Sequence, residues 1–231
     1  MKIKLITFSG LDGAGKSTQI RLLEERLSKQ SGMTTTVLTM YDDVSTAARL
    51  RKLFSASSPS IKSGNPSQPA GAPASKSNRE ANHAYRYDKN RQDLATLLLR
   101  QLVYLSDLIR FRILFYLQSW HGTEVLVMDR YFFDSLANLT AVDSRASAYV
   151  RAFLHLVPTP DVAVFLDTEP NLAHQRKAEY PVEYLQRRQR AYRDIFEIVS
   201  TALVIDGSRP ADVIHSSITA QVGKALNLKR D

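Results

Sequence analysis

The sequence predicts an α/β fold of three layers, in which a central, mostly five-stranded parallel sheet is covered by helices on both faces. Two observations carry that prediction. Short apolar or β-branched runs alternate with longer segments of helical period along nearly the whole chain, the pattern of strand–helix–strand units in a parallel sheet. The interior runs, 124–128 and 162–166, are apolar almost throughout, as expected of strands buried on both faces.

Each element follows in order. Residues 2–8 alternate charge with Ile3, Leu5 and Ile6 and then meet a glycine, which suits a strand entering a tight turn. From Lys16, the residues Ile20, Leu23 and Leu27 recur at helical spacing until Ser31-Gly32 ends the helix. Residues 34–40 are short and rich in β-branched side chains, a second strand. The segment 55–78 is different in kind: Ser, Pro, Ala and Gly dominate, too little apolar surface to offset the entropy of ordering, so it reads as a flexible insertion. Residues 94–117 carry Leu or Ile at 94, 97, 98, 102, 105, 108, 109, 113 and 117, which predicts one long core helix of about 36 Å at 1.5 Å per residue. Helical patterns follow at about 134–156, 171–176, 182–201 and 210–226, and a last short strand at 202–205. The whole of 1–231 is expected to be a single domain.

Composition removes several function classes. There is no cysteine, so disulfides and thiolate metal sites are excluded, and the five histidines lack ligand spacing. No apolar run approaches the roughly 18 to 20 residues that span a bilayer, and the start lacks a cleavage signal, so a soluble, cytoplasmic protein with no membrane partner is expected. A net charge of +8 invites a nucleic-acid reading. The basic residues are nevertheless dispersed, with one cluster at Arg187, Arg188, Arg190 and Arg193 that reads chiefly as a solvated helix face and in part as a nucleotide-phosphate pocket, and nucleic acid is not the expected partner.

The most informative motif is Gly10-Leu11-Asp12-Gly13-Ala14-Gly15-Lys16-Ser17, which matches G-x-x-x-x-G-K-[ST] between a predicted strand and a predicted helix. Glycines permit the backbone angles that turn successive N–H groups inward around phosphate oxygens, and the helix adds its N-terminal dipole. Gly10, Gly13, Ala14, Gly15, Lys16, Ser17 and Thr18 are thus the expected ATP-binding residues, with Lys16 reaching the β- and γ-phosphates and Ser17 a ligand for Mg²⁺. The absence of an Asn-Lys-x-Asp string argues against a guanine-specific switch.

The run from Phe8 to Gln19, with a carboxylate inside the loop and Gln after the hydroxyls, resembles the phosphate loop of thymidylate kinases. Asp129-Arg130-Tyr131 followed by Ser135-Leu136-Ala137 is similar to that family's Asp-Arg-Tyr element, and residues 161–167 with 170–176 to the strand and lid entry. Ile205-Asp206-Gly207-Ser208-Arg209 looks like the turn that borders adenine. The resemblance implies a three-layer P-loop kinase fold with a lid at about 168–190, ATP and Mg²⁺ as cofactors, and a nucleoside monophosphate, dTMP or a related nucleotide, as acceptor. It assigns Lys16, Arg130, Arg176 and Asp12 to catalysis, Asp129 with Ser17 to the metal, and Arg176, Ser208 and Arg209 to ATP. It also implies homodimers formed through helices flanking the site, here the long helix at 94–117.

The chain departs from the family only on the acceptor side. Thr-Arg-Glu-Pro after the second strand is replaced by Thr39-Met40-Tyr41-Asp42, Ala-Asp-Arg on the long helix by Ser106-Asp107-Leu108, and Tyr-Gln by Asn138-Leu139. Candidate acceptor-binding residues are therefore Asp12, Tyr41, Asp42, Asp107, Arg110, Arg130 and Tyr131, with Arg110 or Arg112 standing in for the missing arginine and Asn138 for the missing amide. A phosphate acceptor needs no general base, whereas a hydroxyl acceptor would draw on Asp42 or Asp43. A nucleoside, sugar or specialised metabolite is the alternative acceptor; a nucleic-acid end kinase and a nucleotide-binding regulator are the remaining readings.

Overall fold

A computed structural model of the protein describes residues 3–45, 94–142 and 147–227. Its centre is a five-stranded parallel sheet in the order β2-β3-β1-β4-β5, formed by β1 (Lys4–Gly10), β2 (Thr35–Thr39), β3 (Val125–Asp129), β4 (Val162–Asp167) and β5 (Ala202–Asp206). The helices are α1 (Lys16–Ser31), α2 (Leu94–Trp120), α3 (Phe132–Val142), α4 (Ser147–Leu154), α5 (Pro170–Arg176), α6 (Val182–Phe196) and α7 (Ala211–Ala225). The expected insertion at 55–78 lies outside the described residues. Among the described residues no helix is long and apolar enough to cross a membrane.

Strand alternation sorts the core into two layers. Ile6 and Phe8 of β1, Val125 and Val127 of β3, and Val162, Val164 and Leu166 of β4 meet Ile20, Leu23 and Leu27 of α1 and Ile214, Ile218 and Val222 of α7. The intervening residues Leu5, Leu126, Met128, Ala163 and Phe165 face the other way, against α2, α3 and α6. That second layer is rich in rings: Phe111 of α2 meets Tyr131 and Phe132 edge-on, and Phe165 stacks on Tyr192 and Phe196 of α6. Full burial of each such side chain is worth roughly 1.5–3 kcal/mol, so the two apolar faces of β1, β3 and β4 account for much of what holds the layers together.

Two sequence expectations change. The helical pattern at 134–156 is two segments, α3 and α4, with 143–146 outside the described residues. The leucines of the long helix are not all core. Leu108 and Phe111 are buried, and Tyr104 and Phe115 pack against the same core. Leu102, Leu105, Ile109, Ile113 and Leu117, joined by Tyr116 and Trp120, form a stripe on the opposite side, where Trp120 is 77% and Leu102 63% exposed. The count of apolar residues in 94–117 exceeds what one face can bury, so α2 carries two apolar faces and packs only one of them on the sheet.

The sheet order places the functional end. From β1 the chain first builds β2 and β3 on one side and then β4 and β5 on the other, so the crevice beyond the C-terminal end of β1 lies where the strand order reverses. In open α/β sheets this is where ligands bind. Gly10 ends β1, paired with Leu166, and Asp129 ends β3, paired with Phe8.

Candidate active site

The loop from Gly10 to Gly15 is built around three left-handed glycines, Gly10 (φ 145), Gly13 (φ 87) and Gly15 (φ 91). Two of them also fill places that a side chain could not occupy. A Cβ at Gly10 would lie 2.7 Å from the Leu166 carbonyl oxygen, and one at Gly13 2.6 Å from that of Ala173. Around Gly15, by contrast, there is open space, and α1 begins there with no side-chain cap and no acidic residue in its first turn. Its first N–H groups and its dipole are left facing that space.

Lys16 is 6% exposed, and its Nζ donates to the Gly10 (3.0 Å) and Leu11 (2.8 Å) carbonyl oxygens. Burial, with the charge of Arg130 adding to it, lowers its pKa to about 8, although Asp134 and Asp12 pull the other way. Its ammonium therefore carries a poorly compensated charge at the loop.

Asp12, 8% exposed, is gripped from two sides. Arg130 Nη2 donates to one carboxylate oxygen, and Arg188 Nη1 donates to the other at 2.9 Å. Burial alone would raise the pKa of Asp12, but Arg130, Arg188 and Lys16 together outweigh it and hold the carboxyl below its ordinary value. Arg130 sits just past β3 in a left-handed conformation (φ 67), with its N–H donated to the Phe8 carbonyl at 3.0 Å. Such a backbone costs on the order of 1 kcal/mol or more in a non-glycine residue. Its guanidinium also lies 5.5 Å from the centre of the Tyr41 ring and 3.5 Å from Asp134.

Beneath these groups, Asp134 is fully buried and accepts from Ser9 Oγ (2.7 Å), Tyr131 N (2.9 Å) and Tyr192 Oη (2.6 Å), while the Tyr192 hydroxyl lies 3.4 Å from the Gly10 carbonyl. The start of the phosphate loop is thereby tied to α3 and α6. Sequence reasoning missed Asp134, Tyr192 and Arg188. Nothing in the local pattern marks the first two, and Arg188 was hidden in an arginine run whose members separate in the structure: Arg187 and Arg190 are exposed, Arg193 bonds Asp167 (2.8 Å), and Arg188 is 2% exposed.

Next to Asp12 opens a cavity of about 550 Å³. Tyr41, Asp107, Arg130, Asn138, Lys177 and Arg188 are on its walls. The Asn138 amide is held by two phenols, donating to Tyr41 Oη (3.4 Å) and accepting from Tyr184 Oη (3.2 Å). Burial pushes the Tyr41 phenol up to about 12, so it stays neutral. Other expected acceptor residues lie elsewhere. Tyr131 turns into the aromatic core and bonds the Pro158 carbonyl at 2.8 Å, because the left-handed step at Arg130 points consecutive side chains apart. Asp42 and Arg110 are outside the cavity wall, and Arg112 donates to the Leu156 carbonyl at 3.0 Å.

On the far side of the loop, Arg176 Nη1 donates to the carbonyls of Gly13 (3.4 Å) and Gly207 (3.2 Å), joining α5 to the loop and to the turn after β5. In that turn Ser208 donates from its N–H (2.9 Å) and hydroxyl (2.6 Å) to Asp206, and Arg209 is exposed. Ala14 is buried and Thr18 exposed.

No family model matches the chain. It is 26% identical to the thymidylate kinase of Pelodictyon phaeoclathratiforme over 243 aligned positions, 95% of each chain. Against the thymidylate kinase of Francisella tularensis subsp. holarctica it is 23% identical, over 99% of this chain and 100% of that one. A probable thymidylate kinase of Archaeoglobus fulgidus is 26% identical over 115 residues, 46% of this chain and 57% of that protein. The chain is a phosphotransferase similar to thymidylate kinases over nearly its whole length. Asp12 belongs both to the glycine loop and to the wall of the adjoining cavity.

Two oxygen ligands suited to a magnesium ion remain at the loop. Ser17 is exposed, and the Asp129 carboxylate forms no hydrogen bond or ion pair with a described residue. Burial raises the pKa of Asp129, partly offset by Lys16 and Arg130, so a cation beside it would relieve its desolvation. Among the described residues no group of three or more His, Cys, Asp or Glu could hold a metal.

The titration of Lys16 gives a testable pH dependence. Its free pKa is about 8 and a bound phosphate must raise it, so affinity for Mg·ATP should be greatest below pH 8 and fall above it, by up to about tenfold per pH unit. Calorimetry at pH 8.5 in buffers of different ionisation enthalpy should show proton uptake on binding. Uptake that is absent at pH 8.5, or an affinity flat from pH 7 to 9.5, would contradict the assigned role of Lys16.

Proposed function

We propose that the enzyme transfers the γ-phosphoryl group of ATP to a nucleoside monophosphate, dTMP or a related nucleotide. The observation that carries this reading is the position of Asp12, a residue of the glycine loop whose carboxylate is also the wall of the adjoining cavity. Donor and acceptor would meet there.

Transfer would break the bond from the γ-phosphorus to its bridging oxygen and form one to an acceptor phosphate oxygen, releasing ADP. Little covalent work falls to the protein in such a reaction; positioning and charge stabilisation dominate. The loop N–H groups and Lys16 would hold the β- and γ-phosphates, with Gly10, Gly13, Ala14, Gly15 and Thr18 shaping that contact. Arg176, already against the loop, would cover the transferred group, and Ser208 and Arg209 would border the adenine. Arg130 would face the incoming oxygen while Asp12 orients it. Magnesium at Ser17 and Asp129 would neutralise charge between the phosphates.

Of the carboxylates that could serve a hydroxyl acceptor as a base, Asp12, Asp42 and Asp43 are poorly suited, which favours a phosphate acceptor. Asp12 is held ionised by two arginines and makes a poor base. Asp43 accepts the Thr39 N–H at 2.7 Å, and Asp42 lies outside the cavity wall. Tyr41, Asp107 and Asn138 are the side chains proposed to meet the acceptor's sugar or base, in place of the residues at Leu108 and Leu139, which are buried in the core. We further propose that the exposed stripe of α2 pairs with a second copy, since seven large apolar side chains on one helix face are costly to leave in water.

An ADP-release assay across nucleoside monophosphates, nucleosides and sugars should give the highest rate with a nucleoside monophosphate, and Lys16→Ala should lower it by roughly 10²-fold or more. A nucleoside or sugar as the best acceptor, or turnover unchanged in Lys16→Ala, would refute the reading. In sedimentation velocity the wild type should run as a dimer and the double variant Ile109→Glu, Ile113→Glu as a monomer; a monomeric wild type would refute the pairing.

A further inference from the structure

Arg188 is a buried cation with too little to bind. It is 2% exposed, on α6, and among the described residues Asp12 is its one carboxylate partner, a partner it shares with Arg130. Its Nη2 donates to the Tyr192 hydroxyl at 3.2 Å, and its Nε is buried with no hydrogen-bond partner. A guanidinium has five N–H donors in a fixed fork, so most of its capacity is unused. A buried charge is tolerated when it is paired and hydrogen-bonded, and one carboxylate divided between two guanidiniums compensates only part of their charge.

Arg188 itself lines the cavity. Arg188 and Arg130 are both on its wall, and they approach Asp12 from different elements, one from α6 and one from the end of β3. Lys177, the other cation on that wall, is already paired with Glu179 at 2.9 Å and lies half-exposed. Of the cations among the described lining residues, the two arginines around Asp12 are the buried ones.

We infer that Arg188 is the acceptor-phosphate ligand: its guanidinium binds the phosphate of the molecule that enters the cavity, while Asp12 and Tyr192 hold the side chain in place beforehand. This rests on the phosphate-acceptor reading above and deepens it, by making an arginine of the helix after α5 decide between a monophosphate and its nucleoside. A planar fork held on two sides loses little entropy when it takes an anion, and it forms two parallel bonds to phosphate where a lysine would form one.

The test is direct binding, which does not require turnover. Wild type, Arg188→Met and Arg188→Lys are titrated with dTMP, dUMP, dCMP, dAMP and dGMP, each against its own nucleoside, and separately with Mg·ATP. The wild type should bind at least one monophosphate more tightly than its nucleoside. Arg188→Met should weaken that monophosphate by about 10- to 100-fold, the loss expected of a charged hydrogen-bonded contact, with the nucleoside and Mg·ATP changed by less than about threefold. Arg188→Lys should recover part of the loss.

If every nucleoside binds as tightly as its monophosphate to the wild type, the phosphate-acceptor reading fails and this inference with it. If the wild type prefers a monophosphate and Arg188→Met keeps that preference, the inference alone is overturned. Should Arg188→Met lose Mg·ATP binding and melt early, Arg188→Lys decides: a loss confined to the monophosphate supports the contact, and an equal loss for all ligands, or none, overturns it.

Discussion

The site depends on a carboxylate shared between two guanidiniums. Asp12 comes from the loop after β1, Arg130 from the end of β3 and Arg188 from α6, so one ion cluster joins three segments beyond the C-terminal ends of the strands. Removing the carboxylate would leave two buried cations facing each other beside Lys16, a much larger penalty than the loss of a surface ion pair. The cluster also makes an acid in the loop compatible with the proposed polyphosphate site: with two arginines on it, Asp12 presents little net negative charge.

A second layer makes that geometry rigid. Asp134 collects donors from Ser9, Tyr131 and Tyr192, and the Tyr192 hydroxyl lies against the Gly10 carbonyl, so the loop's first residue is located by α3 and α6 as well as by its own strand. Satisfied buried networks of this kind specify one arrangement, because each unmade bond in a low dielectric is expensive. Lys16, held over the carbonyls of Gly10 and Leu11, then has a defined place from which to turn to a phosphate. The same economy appears at Gly13, where the loop touches the Ala173 carbonyl and Arg176 reaches back to the Gly13 oxygen; α5 is packed so closely on the loop that no side chain could stand between them.

The fold and the glycine loop were largely legible because both are written locally. Five short apolar runs and the intervening helical periods yield five parallel strands with helices on both faces, since period 2 and period 3.6 are properties of adjacent residues. The glycine loop is legible for a similar reason: its three positive-φ positions coincide with three glycines in sequence. The cavity beside the loop was not, because its parts are far apart in the chain. Arg188 lies 176 residues from Asp12, and nothing in the run 187–193 distinguishes a buried arginine from its exposed neighbours until α6 is laid on the sheet. Tyr131 is the converse case. Beside Arg130 in sequence, it was expected at the acceptor, yet it belongs to the aromatic core. The long helix shows a further limit: periodicity reports apolar faces, but whether a face meets the sheet depends on the rest of the fold, and one apolar face of α2 packs on it while the other is exposed.

The most direct measurement of the central claim is a crystal structure with Mg²⁺ and a non-hydrolysable ATP analogue. The account requires the β- and γ-phosphates within hydrogen-bond distance of the N–H groups of residues 13–17, Lys16 Nζ turned from the Gly10 and Leu11 carbonyls onto a phosphate oxygen, and the Asp12–Arg130–Arg188 cluster intact beside them. Phosphates bound elsewhere, or Lys16 still seated on its own loop with the analogue in place, would contradict it.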